Sequence, residues 1–333
     1  LKTQTIFFKN PAYIREVASI AGPKEAEGPI GSYFDKTVED DSLGQKSFER
    51  AEVMMHTTTL KYLLNKAKMR SAQIDLCVSG DLSDEITGAN FTMRSFDIPF
   101  LGIYSACASF AESIIVGSTF IDAGHMDRVI CSVSSHFSSA ERQYRFPLEL
   151  GNQRTPLSQW TVTAAGALIL DKDKGEVKVE CATLGTVIDY GVKDANDLGA
   201  AMAPAATATL VSHFRCTGRK PDYYDAIFTG DLGEAGSRIL RSLMIEEGYP
   251  LPDSYNDCGV LIFNREGQKV GQGGSGAACS ASVFCSYIYK KMLNGELNRV
   301  LLVPTGALLS KTSGLQGETI PSIAHAVSFV KVQ

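Results

Sequence analysis

The residue of this chain best placed to do chemistry is Cys107, in Ile103-Tyr104-Ser105-Ala106-Cys107-Ala108-Ser109-Phe110, at the head of an apolar run that ends at Gly124. The stretch reads as a strand or turn that delivers a thiol to the first turn of a buried helix. Unpaired N–H groups and the helix dipole there lower a thiol pKa and stabilise bound negative charge. The position suits a nucleophile or an anion contact, and a cysteine at a helix start is also a common small core residue. The eight cysteines (Cys77, Cys107, Cys131, Cys181, Cys216, Cys258, Cys279, Cys285) are scattered, the five histidines are isolated, and no cluster has zinc-ligand spacing. No metal site is expected, and the thiols read as reduced, in a cytosolic type of compartment.

The elements that must carry Cys107 repeat along the chain. Ala51, Met55, Thr59, Leu63 and Ala67 recur at four-residue spacing, with Leu60 and Leu64 beside them, which predicts an amphipathic helix. A short β-prone run from Ile74 then stops at Gly80-Asp81. A second helix begins near Gly199 and passes Leu210 and Phe214, and its strand, Tyr224 to Thr229, stops at Gly230-Asp231. Ala123 to Ile130 is answered by Asn294 to Leu301. The longer second copy is accounted for by Ile245 to Gly271, where Cys258 to Phe263 reads as a strand. In this alignment Gly273-Gly274-Ser275-Gly276-Ala277-Ala278-Cys279 stands opposite the cysteine turn, and Ala278 opposite Cys107. Two apolar helices, 107–124 and 277–293, are expected to lie covered on most sides.

Alternating strands and helices imply an α/β fold of two pseudo-symmetric halves, 1–175 and 176–333, with buried helices between mixed sheets. Ligands of such sheets gather beyond strand ends, so the turns carrying Cys107, Asp231, Gly273 and Thr305 are expected to converge. A net charge of −5 without a Lys/Arg stripe argues against a nucleic-acid partner. No apolar run reaches the ~18 to 20 residues of a bilayer span and no signal pattern opens the chain, which leaves peripheral attachment to a membrane open. Gly271 to Gly276 lacks the Lys-Ser/Thr ending of a phosphate loop. The segment Glu141 to Pro147, with Arg154, reads as a solvated or interface charge run, with anion steering as the alternative.

A duplicated α/β chain with a cysteine at the start of its first buried helix resembles the thiolase superfamily of thiolases and ketoacyl synthases. More narrowly it resembles the stage V sporulation protein AD family of spore-forming bacteria. The closer match is carried by Ala21-Gly22-Pro23-Lys24-Glu25, Ser134-Ser135-His136, Ala140-Glu141-Arg142-Gln143, Ala203-Pro204-Ala205-Ala206, Thr229-Gly230-Asp231-Leu232, Gly273-Gly274-Ser275-Gly276, Thr305 to Ser310 and Glu318 to His325, spread over almost the whole chain.

The resemblance implies a subunit of the SpoVA complex, peripheral to the spore inner membrane alongside other SpoVA membrane proteins. Such a subunit binds dipicolinic acid, alone or as its calcium chelate, for uptake into the developing spore and release on germination. It implies a homodimer as well, and no resident cofactor. Cys107 falls at the superfamily's nucleophile, but Asp231 stands where condensing enzymes carry a histidine, and the glycine turn offers no basic side chain where another His or Asn is required. A silent binding site is therefore expected, with cysteine-dependent acyl transfer and a purely structural subunit as alternatives. The expected ligand contacts are Ser105, Cys107, His136, Asp231, Gly273, Gly274, Ser275, Thr305 and His325. Bare glycine amides and hydroxyls would hold the anion, and Asp231 reads either as a turn cap or as an oxygen ligand to calcium. His325 reads as a core imidazole, and His136 as a ligand contact or a solvated side chain.

Overall fold

The computed structural model describes residues 4–144 and 154–332. Its ten principal strands are β1 (Tyr13–Ala21), β2 (Leu76–Gly80), β3 (Phe100–Gly102), β4 (Arg128–Ser135), β5 (Ala164–Asp171), β6 (Val177–Thr183), β7 (Ala226–Thr229), β8 (Tyr255–Asp257), β9 (Arg299–Val303) and β10 (Ala326–Lys331). The first five lie in the order β3-β2-β4-β5-β1 and the second five in the same internal order, β8-β7-β9-β10-β6. In each set the fifth strand runs antiparallel to its neighbours, while the second lies parallel to the third and fourth. The sets join where β1 meets β6 antiparallel, with Tyr13 opposite Lys178 and Ile14 opposite Val177. The duplication read from the Gly-Asp turns is thus a duplication of topology.

The local reasons are visible in the side chains. Ser47 accepts a hydrogen bond from the Arg50 amide and so starts the Phe48–Lys66 helix, which buries Ala51, Met55, Thr59, Leu60, Leu63 and Leu64 on one face. β4 and β5 are covered on both faces, which explains the almost unbroken apolar character of β5, while β4 buries Ser132, Ser134 and Ser135 with their hydroxyls hydrogen-bonded. Against them pack the two apolar helices. The first is a 3₁₀ turn, Ala106–Ala108, followed by Ser109–Asp122. The second is Ala277–Val283, continued by a π-helical turn at Phe284–Ile288 and by Tyr289–Leu293, rather than one regular helix. Phe110 and Phe284 meet with ring centroids 5.9 Å apart, and Phe284 meets Phe329 at 4.5 Å. Each such fully buried side chain contributes ~1.5–3 kcal/mol. A Cβ at Gly166 would lie 2.6 Å from the Ala281 carbonyl carbon, so only glycine on β5 admits the second helix this closely.

One element differs from expectation. Cys258–Ile262 is a short helix, not a strand, because Asp257 caps it by accepting from the Val260 amide at 3.2 Å. The strand is the preceding Tyr255–Asp257. Among the described residues no helix is long and apolar enough to cross a membrane.

Candidate functional site

Cys107 reaches its place through a strained turn. Ala106, immediately before it, has φ of +48°, a left-handed conformation that costs a non-glycine residue about 1–2 kcal/mol. The turn is over-determined by its neighbours: the Ser105 amide donates to Ser109 Oγ at 3.0 Å, and Ser109 Oγ donates to the Ala106 carbonyl at 2.8 Å. Gly306 lies against the same turn, since a Cβ there would sit 2.1 Å from the Ser105 carbonyl oxygen. The Ser105 hydroxyl points elsewhere and donates to Glu112 at 2.6 Å. Ser105 therefore shapes the turn and is not among the cavity-lining residues.

Facing the thiol are the turns of the second half. Ser275 Oγ lies 3.9 Å from Cys107 Sγ and donates to Asp231 Oδ2 at 2.8 Å. The Gly276 amide donates to the same oxygen at 3.2 Å, and Thr305 Oγ1 donates to Oδ1 at 3.1 Å. Asp231 is fully buried. Burial pushes its carboxyl up to about 6, helped by the charge of nearby Asp257 and opposed by hydrogen bonds from Cys107, Ser275 and Gly276. Burial and then the Asp231 carboxylate push the Cys107 thiol well above its ordinary value, so it stays protonated at neutral pH. The dipole at the helix start is outweighed.

Asp231 is neither a simple turn cap nor a free oxygen ligand. It ties the strand end after β7 to the glycine turn and to Thr305, which opens a short strand (Thr305–Ala307) and not a turn, and both of its oxygens accept from the protein. Among the described residues no group of three or more His, Cys, Asp or Glu is arranged to hold a metal ion.

Beside this cluster opens a cavity of about 420 Å³. Leu82, Tyr144, Leu198, Met202 and Leu309 supply its apolar walls, and Cys107 and Ser275 stand at one end. Gln159, Thr161, Asn196 and Glu141 add polar groups. Glu141 is paired with Arg154 at 2.7 Å. The strand Trp160–Thr161 forms a wall by pairing with Gly274–Ser275, and Trp160 stacks on Phe137 with centroids 3.8 Å apart.

Of the nine residues expected from sequence, Cys107, Asp231, Ser275 and Thr305 converge, with Cys107 and Ser275 lining the cavity. The others do not line it. His136 is fully buried, with Nδ1 accepting from the Ser138 amide at 3.1 Å and Nε2 2.9 Å from the Asp41 carbonyl oxygen. Burial lowers its pKa, and it is a core imidazole instead of a ligand contact or a solvated side chain. His325 accepts from the Gly185 amide at 3.1 Å, and burial pushes it down to about 4. Two amides of the glycine turn are not bare: Gly273 N–H donates to Val270 O at 3.3 Å, and Gly276 N–H serves Asp231. Of the charge run, Arg145, Phe146 and Pro147 lie outside the described residues. Arg154 lies over the Trp160 ring at 4.8 Å and pairs with Glu141, so it is anchored beside a residue that lines the cavity.

Sequence reading missed Gln159, Asn196, Tyr144 and Leu198. Gln159 donates to the Asp231 carbonyl at 2.5 Å and so braces the same turn. Only an Asp-x-Asn-Asp helix start at 194–197, where Asp197 accepts from the Ala200 amide, offered a local signal.

The geometry fits what the chain is similar to. Two solved structures share its fold: an OleA variant from Xanthomonas campestris, 13% identical with a TM-score of 0.63 and covering 98% of this chain and 99% of that one, and 3-oxoacyl-[acyl-carrier-protein] synthase III from Aquifex aeolicus VF5, 12% identical with a TM-score of 0.55, covering 96% and 99%. Both show a thiolase-type fold. A curated relative, stage V sporulation protein AD of Bacillus subtilis (strain 168), is 43% identical over 326 residues, which is 98% of this chain and 96% of that protein. The family model described as stage V sporulation protein AD (SpoVAD) matches residues 2–330, and the chain belongs to that family of sporulation proteins with a thiolase-like fold.

Proposed function

We propose that this chain is a non-catalytic member of its family that binds dipicolinic acid in the cavity beside Cys107. It acts there with the SpoVA membrane proteins at the spore inner membrane, in uptake into the developing spore and release on germination. The observation that carries the reading is the company Cys107 keeps. A thiol at the position of a nucleophile faces a serine and a buried aspartate, and the described wall of the cavity holds no imidazole. Deprotonation is opposed, and among the described lining residues no imidazole is set to polarise an acyl carbonyl. The same end of the cavity offers a hydroxyl and a thiol between apolar walls, which suits a flat aromatic acid. The edge strand β3, with Leu101 and nearby Phe91 exposed, supports a homodimer through the first-half sheet.

The test is calorimetric titration of the purified chain with dipicolinate, with and without calcium, read in parallel by the fluorescence of Trp160, the single tryptophan. Saturable binding that Ser275→Trp abolishes is the expected result. Absence of binding at millimolar ligand in both arms overturns the reading. Acyl transfer is favoured by one observation, the strained residue before Cys107 at a helix start. Intact-mass analysis after incubation with acyl-CoA donors of several chain lengths is expected to show no adduct on Cys107.

A further inference from the structure

A cavity that takes an anion normally offers it a cation, and here the ionisable group bonded to Ser275 is an acid. Asp231 lies one hydrogen bond behind Ser275, so a ligand carboxylate touching Ser275 Oγ stands two hydrogen-bond lengths from the Asp231 carboxyl. The groups facing Asp231 come from every element packed on it. The turn before Ser109–Asp122 brings the protonated Cys107 thiol, the glycine turn brings Ser275 and the Gly276 amide, and the short strand Thr305–Ala307 after β9 brings Thr305. The end of β8 brings Asp257, which accepts from Thr229, Leu232 and Gly233, and the short helix after it and the second buried helix bring the thiols of Cys258 and Cys279. Gln159 donates to the Asp231 backbone. Glu141, which also lines the cavity, is matched by Arg154. Among the described residues no basic side chain bonds to Asp231.

We infer that anion binding in this cavity is coupled to protonation of Asp231: the ligand enters with one proton, which the Asp231 carboxyl takes up and holds while the ligand is bound. The inference rests on the reading of the cavity as an anion site. The balance is simple: the bound state gains one ligand carboxylate and one proton from solvent, and no bond other than O–H forms. The geometry makes the proton acceptable, because Ser275 and Thr305 carry hydroxyls that rotate, so either can accept from the neutral acid as readily as it donates to the carboxylate. Burial already holds the carboxyl in the range where a neighbouring negative charge brings its titration across neutral pH. Two unit charges about 6 Å apart in a partly buried site interact strongly enough to change affinity by ~10²-fold between the ionised and neutral forms of the acid.

The experiment is titration calorimetry of the wild-type chain with dipicolinate from pH 5.5 to 8, above the ordinary range of the ligand's carboxyls, in two buffers of different ionisation enthalpy. With the free carboxyl at about 6 and a ~10²-fold coupling, binding is expected to take up about 0.8 proton near pH 7, falling to about half a proton at pH 8, and to weaken by roughly 3- to 6-fold per pH unit across that range. Asp231→Asn is expected to abolish the uptake and flatten the pH profile. Saturable binding with no proton uptake in the wild type overturns the coupling and leaves the anion site standing. Uptake that persists in D231N overturns the assignment to Asp231. Absence of binding at every pH overturns the anion site itself, and the coupling with it. The proton count on the wild type is independent of whether D231N folds.

Discussion

Ser275 Oγ donates to Asp231 Oδ2 at 2.8 Å, joining the glycine turn to the strand end after β7. The bond aims the Ser275 hydrogen away from the cavity and toward a buried acid. The hydrogen bonds of Ser275, Thr305 and the Gly276 amide all converge on that acid.

Removing another of its donors is expected to be costly in a pH-dependent way. Asp231 titrates near 6 when folded against an ordinary 3.8, so folding favours its neutral form. The stability it contributes is full below the unfolded value and is lost as pH rises through 6. Thr305→Val leaves the ionised carboxylate short of a donor. It should cost about 1.5–3 kcal/mol at pH 8 and less at pH 5, measured by urea denaturation at both.

The thiols are expected to react in an order opposite to their apparent chemical roles. Cys216 is exposed, and although partial burial pulls its thiol upward, the Gln4 and Thr5 amides hold it below the usual value. Cys107 is held up by burial and by Asp231. Iodoacetamide at pH 8 should label Cys216 at least ~10²-fold faster, followed by peptide mass mapping, and Asp231→Asn should narrow the gap.

A second buried acid lies behind the site. Glu52 accepts from Ser134 at 3.0 Å and Ser139 at 2.8 Å, and burial, with the charge of Asp81, pushes it up to about 8. Its contribution to stability is present below its ordinary 4.5 and lost as pH rises to 8. Glu52→Gln should therefore raise Tm relative to wild type at pH 8 and lose that advantage at pH 5, as followed by thermal unfolding at the two pH values.

Gly276 has φ of +106°, and a Cβ there would lie 2.9 Å from Ser135 Oγ. Gly276→Ala should cost about 1–3 kcal/mol and disturb the amide that serves Asp231. Gly314→Ala, with open space around it and no positive φ, should be close to neutral in the same denaturant titration.

Much of this molecule was legible in the chain. The four-residue spacing from Ala51 to Ala67 marked the Phe48–Lys66 helix, since periodicity is a property of consecutive residues. Two Gly-Asp turns marked the ends of corresponding strands, β2 and β7, and so the shared strand order of the two halves. The short helix at Cys258–Ile262 was missed because its apolar run is too brief for period alone to separate helix from strand, and Asp257 as a cap decided it.

Side-chain pairing was a different matter. That Cys107, Asp231, Ser275 and Thr305 meet followed from strand ends converging, but what each does there did not. His136 reads as a loop histidine beside serines, yet Phe48 and the Asp41 carbonyl, far away in sequence, close over it. The glycine amides read as open donors, yet Asp231 occupies that of Gly276 and Val270 that of Gly273. The sequence by itself determined the period of its elements, their duplication, the family and the presence of a thiol at the head of a buried helix, all of which are written in neighbouring residues. Only the tertiary structure decided that this thiol looks at an acid and not at a base, because Cys107 and Ser275 are 168 positions apart, and which polar group receives which hydrogen is fixed by packing across the two halves.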